Sequence, residues 1–195
     1  SGICMAVSIA LFRRDDVIFG PRPSLQALLR DVTSARVTSL RSRAILVCAM
    51  GALASLPAIL FPSLFLLPSI AFLGRWGFLA ALVFAALVEE YFKPYGIYLL
   101  PKPLKSREVL ALGAIAGLSF STIENLLFTF ALLGSGALHG SLLLVRYLVA
   151  PVMHVGLTMV VAEGYSRGRY ARCLGLFAAS SIHGLYNLAA VLAVM

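Results

Sequence analysis

The chain has 195 residues, 61% hydrophobic and only 12% charged, and it carries a net charge of +8. Soluble domains carry about 25% charged residues, so an ordinary water-soluble domain is excluded, and an all-α, polytopic bundle of membrane helices is expected. The basic excess then faces anionic lipid rather than nucleic acid, and the scattered Cys4, Cys48 and Cys173 have no metal-binding spacing.

Residues 1–12 read as a short or truncated membrane segment. The apolar stretch from Ile3 to Phe12 lacks a basic flank before it, so no cleavable signal sequence is expected. Residues 13–43 form a basic segment with seven arginines and three aspartates. Within it, Leu25, Leu28, Leu29 and Val32 follow Pro23-Ser24 at helical spacing. They predict either a short amphipathic helix at the membrane surface or a solvated basic loop.

Ala44 to Phe61 is the first full predicted span, kinked near Pro57, and 62–75 reads as a proline-interrupted connection. Trp76 to about Leu100 is the second span, Glu108 to Leu133 the third, Ser141 to Glu163 the fourth and Cys173 to Met195 the fifth. The first twelve residues would raise the count from five spans to six. No second composition appears, so residues 1–195 are expected to form a single domain. Segments 13–43, 101–107 and 164–172 hold thirteen of the sixteen basic residues, and the alternate connections 62–75 and 134–140 hold one. Five spans place the basic loops together on the cytoplasmic side of what is expected to be a plasma (inner) membrane.

The polar residues inside these spans carry the functional reading. Glu89 and Glu90 follow an apolar run, and Glu124, His154 and His183 lie on the next three spans. Each lies within about four residues of the middle of its span, hence within ~6 Å of a common depth at 1.5 Å rise per residue. Charge at that depth is costly, about 2.5–3.5 kcal/mol per residue on insertion scales. Such groups need partners and a reason to be kept. Lys93 is four residues from Glu89 and can partly neutralise the pair. Pro151 breaks the backbone ladder one turn from His154, and Asn187 stands one turn from His183.

Two histidines and a carboxylate make the donor set of a catalytic zinc site, with a fourth position left for water. His154, His183 and Glu124 would supply that set. Glu89 or Glu90 would be the general base, with Glu89 preferred, and Asn187 would donate to the oxyanion or to a ligand. Without metal, two close carboxylates could activate water by sharing a proton. Other readings stand beside this one. The Glu–Lys pair could be structural. Glu124, Asn187 and the histidines could be polar contacts between helices. Arg146 could reach the interface or the site. Gly113, Gly117, Gly156 and Gly184 could allow close helix packing. As whole proteins, a proton- or ion-coupled carrier and a catalytically silent scaffold compete with a hydrolase.

The elements Glu89-Glu90-x-x-Lys93, Phe120-x-x-x-Glu124-Asn125, Arg146 through Pro151 to His154, and His183-x-x-x-Asn187 occur in this order. With Leu11-Phe12-Arg13-Arg14-Asp15-Asp16 before them, the chain resembles the PrsW family of membrane proteases, related to the CAAX prenyl endopeptidases and Abi proteins. The resemblance implies a membrane-embedded peptidase acting on membrane-associated proteins, such as an anti-sigma factor. It implies Glu89, Glu90, Glu124, His154 and His183 as the functional set. The CAAX and Abi relatives commonly have His where Glu124 stands, so the likeness leaves both a zinc-dependent and a metal-free glutamate mechanism open.

Overall fold

The computed structural model describes residue 37 and residues 39–100, 103–135 and 140–192. The expectations for residues 1–12 and for the surface helix at 23–32 lie outside the described residues. Among the described residues every regular element is helical. In chain order the helices are α1 (Leu40–Leu53), α2 (Ser55–Leu73), α3 (Arg75–Phe92), α4 (Tyr95–Tyr98), α5 (Ser106–Ser135), α6 (Gly140–Arg167) and α7 (Arg169–Leu192).

Local chemistry sets the helix ends. Ser39 caps α1, its Oγ accepting from the Ser42 backbone N–H at 3.1 Å. Pro57 lacks an N–H, and its ring crowds the carbonyl four residues back, which belongs to Leu53, the last residue of α1. The helix therefore breaks at Ala54 and restarts as α2. That restart runs through the stretch expected to be an irregular connection, 62–75, because its prolines interrupt single bonds while its apolar side chains favour continued helix in an apolar medium. Gly74 ends α2 at φ +54, and Gly168, between α6 and α7, has φ +122; both values favour glycine.

Around the bundle the packing order is α1, α5, α6, α7, α3 and α2, and the chain continuity of α1 and α2 closes the circuit. Four stretches are long and apolar enough to cross a membrane: Leu40–Phe61, Ser106–Gly134, Leu143–Arg167 and Arg169–Ala190. The expected five or six spans therefore exceed what the described residues hold. The difference lies at Trp76–Leu100. There α3 carries Arg75, Glu89 and Glu90 in eighteen residues and stops at Phe92, and the chain continues as the one-turn α4. Residues 96–100 are buried, so the one-turn α4 and the turn that follows it are covered by protein.

Small residues set the closest helix approaches. A Cβ at Gly117 would lie 2.6 Å from the His154 carbonyl oxygen and 2.8 Å from Val155 Cα, and one at Gly113 would lie 3.0 Å from Met159 Cα. These glycines let α5 touch the α6 backbone beside His154. Gly156 faces open space, with nothing within 4 Å of its Cβ direction. Gly117→Val is expected to cost about 1–3 kcal/mol by forcing the helices apart. Gly156→Ala is expected to leave stability unchanged or slightly raised. Thermal unfolding of the purified variants checks both, and equal melting points for the two would contradict this packing.

Candidate active site

The site forms where α3 stops. Glu89 and Glu90 are the fourth- and third-last residues of α3, and Lys93 caps it. Glu124 comes from α5, Arg146 and His154 from α6, and His183 from α7. Glu124 is eighteen residues along α5 and His183 fourteen along α7. At 1.5 Å per residue these positions lie roughly 27 Å and 21 Å from the helix starts, in the middle of the bundle. Side chains from α3, α5, α6 and α7 meet here.

Lys93 is the hub. Its side chain has 0% exposure. Its Nζ lies 2.6 Å from Glu90 Oε1, 3.7 Å from Glu89 Oε2 and 2.7 Å from His154 Nδ1. It also stands 4.5 Å above the centre of the Phe120 ring. The i,i+4 spacing to Glu89 foreshadows this lysine, but the short contact goes to Glu90 at i,i+3. Phe120, one turn before Glu124, also meets the His154 ring edge-on with centroids 5.3 Å apart. One aromatic side chain thus supports both the ammonium and the imidazole.

Hydrogen-bond chemistry fixes the proton positions. An ammonium only donates, so His154 Nδ1 accepts from Lys93, and the N–H on Nε2 donates to Glu124 Oε2 at 2.9 Å. A carboxylate only accepts, so His183 Nδ1 donates to Glu90 Oε1 at 2.8 Å. That leaves His183 Nε2 facing Glu89 Oε2 at 3.5 Å. Glu89 Oε2 and Glu90 Oε2 are buried and accept no hydrogen bond among the described residues. The two imidazoles lie 5.0 Å apart, nearly perpendicular.

Glu124 is held from the other side. Arg146 Nη2 donates to Glu124 Oε1 at 3.1 Å, and its guanidinium stacks 4.1 Å from the centre of the Phe128 ring. Arg146 therefore belongs to the cluster rather than to the interface. Asn125, beside Glu124, donates to the Arg146 backbone carbonyl at 3.1 Å, in the part of α6 that precedes Pro151. The Phe-x-x-x-Glu-Asn stretch thus places an aromatic support, a carboxylate and a backbone anchor on α5.

One ligand atom each from Glu89, His154 and His183 lies within 4.8 Å of the others, and all three residues are buried. The carboxylate in this trio is Glu89, on α3. Glu124, expected in that place, engages the ring nitrogen of His154 opposite Lys93. Asn187, expected to donate to the site, is half-buried and takes part in none of the cluster's hydrogen bonds or ion pairs. Lys93 is the residue that sequence reasoning underweighted. Its signal was an isolated lysine one turn after two adjacent glutamates in an apolar stretch. Glu163, at the end of the predicted fourth span, accepts from Ser106 Oγ and Arg167 Nε, both at 3.0 Å.

The donor set suits a divalent cation. Three carboxylates and two imidazoles share the space with one lysine and one arginine. Two imidazoles and a carboxylate are the usual protein ligands of a catalytic zinc. Comparison with known proteins agrees in class. The sequence model of the family described as PrsW family intramembrane metalloprotease matches residues 41–195. No curated protein and no solved structure matches the chain.

Proposed function

We propose that this chain, which belongs to the PrsW family of intramembrane metalloproteases, cuts peptide bonds of membrane-associated proteins with a water activated among Glu89, His154 and His183. The supporting observation is the buried approach of those three residues to within 4.8 Å, at the depth where α3 ends. Family membership supports the membrane protease; the roles of individual residues are our assignment.

Without metal, Glu89 is assigned as the residue that meets the reacting water, because its Oε2 has a free lone pair in a buried place. Glu90 positions: its Oε1 accepts the hydrogen bond from His183 Nδ1–H and so points Nε2 toward Glu89. Lys93 neutralises the adjacent carboxylates and holds His154 in a single tautomer. Glu124 and Arg146 hold the other edge of that ring. A zinc ion, when bound, would be held by Glu89, His154 and His183 and would lower the pKa of water in its open position. His183 Nε2 is available for this role, and His154 becomes available once Lys93 turns toward Glu89, 3.7 Å away. Asn187, one turn along α7 from His183, remains assigned as a donor to substrate.

The single unit 1–195 is proposed to sit in the plasma membrane with its basic loops cytoplasmic. Nothing in the fold singles out an anti-sigma factor as the substrate. The test uses purified protein in lipid nanodiscs and two quenched fluorogenic peptides that share one scissile sequence. One is a short soluble peptide, and the other spans the bilayer. Cleavage of either by wild type, lost in His154→Ala and His183→Ala, is expected. Cleavage that survives both substitutions overturns the proposal, and substrate uptake into proteoliposomes without cleavage would assign the cluster to a carrier.

The metal makes a separate prediction. Elemental analysis is expected to find about one zinc per chain, lost on chelation together with activity and regained on adding zinc. Full activity in metal-free protein would remove zinc and leave the paired carboxylates to activate water.

A further inference from the structure

The ammonium of Lys93 stands in the path of any metal that reaches His154. Its Nζ is 2.7 Å from His154 Nδ1 and 3.7 Å from Glu89 Oε2, so it meets two of the three residues proposed to hold zinc. Its ion pair with Glu90 Oε1, at 2.6 Å, ties it to a residue outside that trio.

One lone pair decides what can share this place. A neutral imidazole has one N–H and one acceptor nitrogen. At His154 the N–H is on Nε2 and donates to Glu124 Oε2 at 2.9 Å, while Arg146 holds the other oxygen of Glu124 at 3.1 Å. The acceptor is Nδ1, and Lys93 uses it. A metal ion would bind through that same lone pair, so lysine and metal exclude each other at Nδ1. Moving the proton to free Nε2 gives no way round. It would set an N–H against the ammonium and a bare lone pair against the Glu124 carboxylate.

Lys93 has a second seat close by. Glu90 Oε2 is buried and accepts no hydrogen bond among the described residues. An N–H that leaves His154 can turn to it while the bond to Oε1 is kept. The Phe120 ring, with its centre 4.5 Å from Nζ, gives the ammonium a π face as well. The lysine side chain has no exposure, so the displaced charge stays beside Glu90 rather than passing to water.

We infer that Lys93 is an exchangeable cation of the site: its ammonium holds His154 Nδ1 until a divalent metal ion takes that nitrogen, and it then rests on Glu90. Metal loading is a replacement of one cation by another, and Lys93 sets the free metal concentration at which it occurs. This inference rests on the metalloprotease reading above and adds the regulation of the same site.

The test measures zinc affinity by competition with a chromophoric chelator, on purified protein in nanodiscs. Lys93→Met is expected to lower the Kd for zinc by about tenfold or more, the effect of removing a charge-assisted hydrogen bond that competes for the ligand. Loss of a nearby positive charge acts in the same direction, so two further variants separate the causes. Arg146→Met removes a cation that bonds Glu124 rather than the trio, and is expected to change the Kd by less than about threefold. Glu90→Gln/Lys93→Met removes one charge of each sign, and its amide oxygen can still accept from His183 Nδ1–H. Its Kd is expected to fall by about threefold or more. This variant also carries the test if Lys93→Met does not fold. A Kd that does not fall in the double variant, or that falls equally in Arg146→Met, overturns the exchange.

NMR of wild-type protein with isotope-labelled histidine reads the exchange at the nitrogen itself. The chain has three histidines, and the loss of one signal in His154→Ala identifies it. Before metal is added, His154 is expected to be protonated on Nε2 and bare on Nδ1. An NMR-active cadmium isotope is then expected to couple to Nδ1, and coupling to Nε2 overturns the exchange. Zinc bound equally by wild type and both Lys93 variants keeps the metal reading and overturns the exchange alone. Zinc bound by none of them overturns both. The expected Kd pattern without peptide cleavage keeps the exchange and overturns the hydrolase.

Discussion

Glu89→Gln is expected to lower kcat for peptide cleavage by about 10²–10⁴-fold, the range lost when a general acid or base is removed, and to lower zinc occupancy as well if Glu89 is a ligand. It should do so with little loss of stability. Glu89 Oε2 accepts no hydrogen bond, and its contacts with Lys93 and His183, at 3.7 and 3.5 Å, are the long ones of the cluster. Glutamine has nearly the same shape but no basic lone pair matched to water. Glu90→Gln provides the contrast. Glu90 Oε1 bonds Lys93 at 2.6 Å and His183 at 2.8 Å, so its loss removes the lysine's close counter-charge. That variant is expected to lose stability as well as activity. Steady-state kinetics on the short peptide, alongside thermal unfolding in the same nanodiscs, separates the two. Equal activity in Glu89→Gln and wild type would remove Glu89 from the chemistry. Equal melting points for Glu90→Gln and wild type would remove Glu90 from its positioning role.

Lys93→Met is expected to destabilise the fold by about 3–5 kcal/mol, the usual cost of breaking a buried ion pair by removing one partner. Methionine fills a similar volume, so packing changes little. The damage is electrostatic: Glu90 stays fully buried with His183 as its remaining partner, and His154 Nδ1 loses its donor. The double variant Glu90→Gln/Lys93→Met removes both charges and should recover most of that stability, since a buried pair is often replaceable by neutral groups. It should not recover activity, because Glu90 no longer carries the charge that orients His183 toward Glu89. Reversible unfolding in detergent measures the first two outcomes and peptide cleavage the third. A Lys93→Met protein as stable as wild type would contradict the central place given to this lysine.

The two expectations draw on different kinds of knowledge. That four helices bring acids and imidazoles to one depth could be read from the sequence, because depth follows from the rise per residue and from the ends of each apolar run. Which groups touch could not. Spacing gave Glu89 and Lys93 a shared helix face, yet Lys93 caps α3 and its ammonium meets Glu90, because side-chain direction at a helix end depends on what packs there. The likeness to PrsW proteases pointed to these residues, and the family match places the chain in that family. It did not say that Glu89, rather than Glu124, lies with the two histidines.

The end of α3 shows the same limit. Hydropathy continues through residue 100, so the sequence predicts one span from Trp76 to Leu100. The chain instead leaves the helix at Lys93, in the interior, where buried residues 96–100 and the facing helices shield its backbone. A proline at 94 indicates a break but not what makes the break tolerable.

The sequence alone determined the medium, the helical class and the depth of the polar groups, because these follow from composition, run length and a fixed rise per residue. The tertiary structure decided the pairing: which carboxylate joins the histidines, where Lys93 points, and which glycines let α5 meet α6 beside His154. Pairing depends on rotation and separation of helices far apart in the chain, and those are set by the packing of whole faces rather than by any local spacing.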